Sequence, residues 1–186
     1  MTFYKPEKLP KLMVAPNGAR PMKKDHAAVP ITISEIVETA KACYKAGAGA
    51  IHFHIRDDNG QHVLNAELCK KALSELEKKV PNMHLQVTTE AIGKYLPEEM
   101  RNLAYEVMPP GISIGIREMI PSRDPSNNDI ELYKSLTHAG TKIQHICYEP
   151  EDIDLLSNLL SISNISKNGV WCMFVIGHYS GKISKP

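Results

Sequence analysis

The sequence has no apolar run long enough to cross a bilayer: the longest, Val170 to Ile176, falls far below the roughly 20 residues that a membrane helix needs. Its first residues, MTFYKPEKLPK, lack the apolar core of a secretory signal, so a soluble, cytoplasmic protein is expected. Charge of one sign is not in excess either. Lys and Arg number 22 against 21 Asp and Glu, interspersed along 186 residues, which removes the electrostatic footprint expected for partners such as nucleic acid or an anionic membrane. Cysteine is sparse, and Cys43, Cys69, Cys147 and Cys172 form no CxxC pair. That spacing argues against a zinc ribbon or a dithiol redox motif and predicts four reduced, buried thiols. Internal repeats and low-complexity tracts are missing. What is present, 42% hydrophobic and 23% charged residues, suffices for the core of one globular domain.

Short apolar runs alternate with amphipathic helix patterns. The runs are Leu12 to Pro16, Ala50 to Ile55, His84 to Thr89, Ile112 to Ile116, Lys142 to Tyr148 and Val170 to Gly177, six strand candidates. The clearest helix follows Thr32, which can cap it, with Glu35 completing a capping box. Ile36, Ala40, Cys43 and Tyr44 form its apolar stripe, and Gly47 ends it. Leu68, Ala72 and Leu76 mark a second helix, Pro97 opens a third, and Asp129 to Ala139 holds a fourth. Ile153, Leu156 and Leu160 mark the fifth.

Strands alternating with helices predict a parallel sheet, either open and doubly wound or closed into a barrel. Polar groups follow every run: Asn17 to Arg20, Arg56 to Asp58, Thr89 and Glu90, Arg117 and Glu118, Glu149, and His178 to Ser180. A (β/α)8 TIM barrel needs such a ring, because its reaction site is assembled from all the loops that follow strands. An open sheet would concentrate function at one switch point, and no GxGxxG follows any run. The expected fold is therefore an α/β barrel with about six βα units present, one domain over residues 1–186 that is incomplete at its C-terminal end.

The stretch AIHFHIRDDNG, Ala50 to Gly60, carries the most chemistry. Alternate side chains of a strand share a face, so His52 and His54 point one way and Ile51, Phe53 and Ile55 the other. Residues two apart lie roughly 6.5 Å apart along a strand, and two imidazoles leaning together can reach one metal at about 2.0–2.1 Å. On the residues alone two readings stand: a zinc site in the barrel lumen, or two hydrogen-bonded histidines followed by ordinary caps and turns. A catalytic zinc takes three protein ligands and leaves one position open. Glu90, Glu118, Glu149, His145 and His178 are placed to be the third, and spacing singles out none. His26, His62, His84 and His138 fall in loops, at a strand start or on a helix, and are not expected to be ligands.

The segments PNGAR, DHAAVPITISEI, AKACYKAGAGAIHFHIRDDNGQH, LQVTTEAIGKY, SIGIREMIP, IQHICYEPEDI and MFVIGHYSGKISKP, in this order, resemble the β-keto acid cleavage enzymes. The likeness runs from Leu12 onward, and AGAGAIHFHIRD is its most specific element. It implies a zinc-dependent (β/α)8 enzyme that moves CoA from acetyl-CoA to a β-keto acid and releases acetoacetate. It implies His52 and His54 as metal ligands, with a third, a glutamate, and the catalytic base in a C-terminal segment that has no counterpart here. The small-molecule partners would be the keto acid and acetyl-CoA, and a homo-oligomer is expected.

Several members carry an acid at the position of Arg20 and small residues at those of Glu90 and Glu118. The difference points to a neutral or anionic substrate side chain, with Arg20 as a carboxylate clamp and Thr88, Thr89, Glu90 and Glu118 lining the pocket. Two alternatives remain at this level. One is a metal-dependent hydrolase of amidohydrolase type, which would use His145 and His178. The other is a catalytically inactive, truncated barrel.

Overall fold

Local capping chemistry sets the helices of the computed structural model, which describes residues 8–176. Helix α1, Ile33–Lys45, starts where Thr32 Oγ1 accepts the Glu35 N–H at 3.2 Å and Glu35 Oε2 accepts the Thr32 N–H at 2.9 Å, the expected capping box. It buries Ile36, Val37 and Ala40, whereas Tyr44, placed on the apolar stripe by periodicity, is 38% exposed. Helix α2, Ala66–Lys79, is capped by Asn65 and buries Cys69, Ala72, Leu73 and Leu76. Helix α3, Pro97–Val107, opens on its proline, with Glu99 accepting the Leu96 N–H at 2.8 Å.

A four-residue helix, α4, Ile116–Met119, turns directly out of the fourth strand and takes Ile116, which the apolar pattern placed in that strand. Helix α5, Asn127–His138, starts two residues before the expected Asp129, because Ser126 and Asp129 form a capping box with aspartate in the glutamate position. Helix α6, Pro150–Ile162, buries Leu155, Leu156, Leu159 and Leu160 and leaves Ile153 44% exposed, so its apolar face is rotated from the expected one.

The six strands are β1 (Met13–Val14), β2 (Ala50–Phe53), β3 (His84–Thr88), β4 (Gly111–Gly115), β5 (Lys142–Cys147) and β6 (Trp171–Phe174). All neighbours are parallel, in the order β1-β2-β3-β4-β5-β6. Residues of β1 and β6, Met13 and Met173 among them, line one and the same cavity, so the sheet is curled into a half-barrel with helices outside, a partial (β/α)8 barrel.

Alternation then sorts the side chains. Ile51, Phe53, Leu85, Val87, Ile112 and Ile114 pack against the helices as the core, with Ile36, Leu73, Leu76, Met100 and Leu132 opposite them. His52, Thr88 and Ser113 take the lumen side. The lumen face of β4 is Gly111, Ser113 and Gly115. A Cβ on Gly111 would stand 2.6 Å from His84 Nε2 and 2.9 Å from the Leu85 carbonyl, and one on Gly115 would stand 2.8 Å from Glu118 Oε2. All four cysteines are free thiols, but Cys43 and Cys172 are only partly buried. No helix among the described residues is long and apolar enough to cross a membrane.

Candidate active site

The parallel register explains which polar groups meet. His52 on β2 lies opposite Gln86 on β3, and His52 Nδ1 stands 2.7 Å from Gln86 Oε1. An amide oxygen only accepts, so Nδ1 donates and His52 Nε2 is left with a bare lone pair. Thr88 lies opposite Ser113, whose hydroxyl donates to Thr88 Oγ1 at 3.2 Å.

His54 stands just beyond the end of β2, where ladder hydrogen bonds stop and a side chain replaces them. Asn17 Oδ1 accepts the His54 N–H at 3.1 Å, and Asn17 Nδ2 donates to the His54 carbonyl at 2.9 Å and to the Pro30 carbonyl at 3.1 Å. So held, His54 sets its Nε2 3.0 Å from that of His52. Its other nitrogen, Nδ1, is buried, has no hydrogen-bond partner among the described residues and faces Glu90 Oε2 at 3.8 Å. Glu90 Oε1 accepts from Arg20 Nη1 at 3.0 Å. Arg20, Glu90, His54, His52 and Gln86 therefore form one row.

Both imidazoles are held neutral. Burial pushes His54 down to about 2, and the neighbouring His52, His62, Arg56 and Arg20 push the same way. Burial also lowers His52, against the pull of Gln86 and Glu90. Neutral imidazole is the form that binds a metal. Glu118 is shifted upward, first by burial and then by the charge of Glu90, against a hydrogen bond from the Ala91 N–H.

These groups border a cavity of about 870 Å³. His52, His54, Thr88, Glu90 and Glu118 line it, together with Asn17, Ser113, Gln144 and Tyr148. Thr89 does not: it is buried and its hydroxyl donates to the Ser113 carbonyl at 3.0 Å, because one residue along a strand reverses the face. Arg20 does not line the cavity: it pairs with Glu90 from an exposed position at the rim.

Among the third-ligand candidates, His145 faces the helices. Its ring stacks on Tyr133 with centroids 5.7 Å apart and its Nδ1 bonds the Trp171 carbonyl at 3.1 Å. This removes from the lumen one of the two residues, His145 and His178, that a hydrolase of amidohydrolase type would have used. Glu149 is tied to Arg117 at 3.0 Å, and His178 lies outside the described residues. No group of three or more His, Cys, Asp or Glu able to hold a metal is found among the described residues.

Sequence reasoning passed over three participants. Gln86 is visible only once β2 and β3 are in register. Arg56, which follows the histidine pair, turns into the loops and donates to the carbonyls of Gly60 at 3.0 Å and Pro21 at 3.1 Å, fixing the loop that carries Asn17. His62, assigned to a loop, returns by an antiparallel bridge with Arg56. Its Nε2 donates to the Glu90 carbonyl at 3.0 Å, and its ring lies edge-on to His54 with centroids 5.0 Å apart.

Comparison with known proteins gives the family and the fold. The sequence profile of the family described as beta-keto acid cleavage enzyme matches residues 11–186. A 3-keto-5-aminohexanoate cleavage enzyme of Fusobacterium nucleatum is 38% identical over 72 residues, covering 39% of this chain and 26% of that protein. A 3-oxoadipate:acetyl-CoA acetyltransferase of Cupriavidus necator is 37% identical over 78 residues, 42% of this chain and 28% of that protein. The aligned stretch thus spans only 26% to 28% of these curated relatives' own lengths. In fold, the chain is similar to the binary complex of ObcA with oxaloacetate, with a TM-score of 0.65 at 15% identity over 81% of this chain and 37% of the other.

Proposed function

We propose, from the premise that this chain belongs to the beta-keto acid cleavage enzyme family, that its cavity binds a β-keto acid beside a zinc ion. The protein would then transfer CoA to that acid from acetyl-CoA and release acetoacetate. The observation that carries this reading is the pair of Nε2 atoms 3.0 Å apart on the cavity wall. Gln86 accepts from the outer nitrogen of His52, so the His52 Nε2 lone pair faces His54 Nε2, and with the His54 proton on Nδ1, toward Glu90, two lone pairs would be free to share a cation. Tetrahedral zinc, with Zn–N of about 2.0–2.1 Å, needs ligand nitrogens roughly 3.3 Å apart, close to the 3.0 Å of this pair, which supplies two of the three protein ligands a catalytic zinc takes. His52 and His54 would hold it, and the ion when bound supplies Lewis-acid polarisation of a substrate oxygen.

The remaining roles belong to the chain's own groups. Gln86 orients His52, and Asn17 anchors the backbone on both sides of the His54 ring. Thr88 and Ser113 present hydroxyls to the bound acid, and Glu118, with its raised proton affinity, can donate or accept a hydrogen bond there. Arg20 at the rim suits a neutral or anionic substrate side chain, a carboxylate there competing with Glu90 for the guanidinium.

A panel of β-keto acids, assayed for acetoacetate with and without acetyl-CoA, tests the proposal. Release that requires acetyl-CoA and disappears on chelation and in His52→Ala or His54→Ala is the expected result. Turnover without acetyl-CoA, or full zinc content in the double variant, overturns it.

A further inference from the structure

Resting on the metal site just proposed, we infer that Glu90 is a positioning residue for His54: its carboxylate accepts a hydrogen bond from Nδ1–H and so aims the Nε2 lone pair at the position shared with His52. Four observations meet at this residue. His54 Nδ1 is a buried polar atom left without a partner among the described residues, and the carboxylate oxygen facing it, Glu90 Oε2, is 3.8 Å away. Closing that gap to hydrogen-bond length takes a movement of about 1 Å.

The backbone of Glu90 is pinned on both sides, its N–H donating to Thr88 Oγ1 at 3.0 Å and its carbonyl accepting from His62 Nε2 at 3.0 Å. The carboxylate is steered from its far side by Arg20, 3.0 Å from Oε1, which leaves Oε2 turned toward the imidazole. Finally, the row is symmetric in function: Gln86 Oε1 accepts a hydrogen bond from His52 Nδ1 at 2.7 Å, and Glu90 is the group placed to accept one from His54 Nδ1.

Two neutral imidazoles can both offer Nε2 only if both carry their protons on Nδ1. Without an acceptor at Glu90, the favoured state of His54 is Nε2–H donating to His52, which closes the site to a cation. An anionic acceptor behind a ligating histidine also raises the basicity of its ligating nitrogen, and losing such an acceptor typically costs 10–100-fold in metal affinity.

The test uses the full chain. Zinc affinity is measured by competition with a chromophoric chelator for wild type, Glu90→Gln and Glu90→Ala, with thermal melts to confirm folding. Nitrogen-15 NMR of the metal-free wild type reports which His54 nitrogen carries the proton. Glu90→Gln, which keeps the shape and loses the charge, is expected to weaken zinc about 10-fold, and Glu90→Ala up to about 100-fold. Metal-free His54 is expected as the Nδ1–H tautomer, a readout that a purely structural role for Glu90 would not move. Wild-type zinc affinity in both variants, or an Nε2–H tautomer in the wild type, overturns the inference. A wild type that binds no zinc defeats the metal reading instead, and the tautomer then decides the role of Glu90 alone.

Discussion

Replacing Asn17 with alanine removes three hydrogen bonds in one step, those to the His54 N–H, the His54 carbonyl and the Pro30 carbonyl, from a side chain in a residue only 3% exposed. A buried hydrogen bond contributes about 1 kcal/mol net, and a backbone group left orphaned costs about 1–3 kcal/mol. Asn17 borders the cavity, so water can return to part of the vacated space, which keeps the expected loss near 3 kcal/mol. For a domain of this size each kcal/mol moves Tm by about 2–4 °C, giving a drop of about 6–12 °C. Asn17→Asp dissects the clamp. It keeps the acceptor for the His54 N–H but sets a carboxylate oxygen against the two carbonyls, and its loss should be at least as large. Urea denaturation measures both variants, and zinc competition on the same samples should weaken in parallel, because the backbone flanking the His54 ring is what Asn17 holds. An Asn17→Ala protein within about 0.5 kcal/mol of wild type, with unchanged zinc affinity, would refute the claim that this side chain fixes the end of β2.

Arg117→Ala leaves the carboxylate of Asp152, fully buried and bonded by Arg117 Nη2 at 2.8 Å and Nε at 3.0 Å, without its cation. Because Arg117 is partly exposed, the cost in urea denaturation should fall at the low end of the range for broken buried pairs, about 3 kcal/mol; a loss under 1 kcal/mol would contradict it. His145, lowered by burial to about 4 from 6.5, stays neutral in the folded state while the unfolded chain takes up a proton. Its contribution is present above pH 6.5 and is lost as pH falls through 6.5 toward 4, about 3 kcal/mol in all. His145→Gln should therefore flatten the fall in unfolding free energy between those pH values, and a profile parallel to wild type would count against this account.

The half-barrel was legible because its signals are local. Thr32 and Glu35, or Pro97, mark helix starts within a few residues of themselves, and alternation in Ile51 to Ile55 separates core face from lumen face without knowledge of any neighbour. Errors arose where a neighbour decides. Helix α4 follows β4 with no intervening loop, and the missing side chain at Gly115 leaves room for Glu118 to fold back beside it, which a run such as ISIGI does not announce. The buried faces of α1 and α6 are set by where the sheet lies, so Tyr44 and Ile153 emerge into solvent despite correct spacing. In the site, the histidine pair could be read from two-residue spacing. The way it is supported could not, because Asn17 and Gln86 lie 37 and 34 residues from the histidines they bond, and Glu90, named as a candidate, meets His54 from 36 residues away, all depending on register and loop path.

The bare face of β4 has a consequence for how such a molecule can change. With Ser113 and Gly115 as its wall on β4, whatever fills the cavity meets there one hydroxyl and otherwise backbone, and much of its outline is set by the other sides. Even a methyl group at Gly111 collides with a main-chain oxygen, so that strand is a fixed datum. Retuning toward a new occupant has to come from the loop after β1 or from β5 and β6, while the reference surface against which their drift is measured stays still.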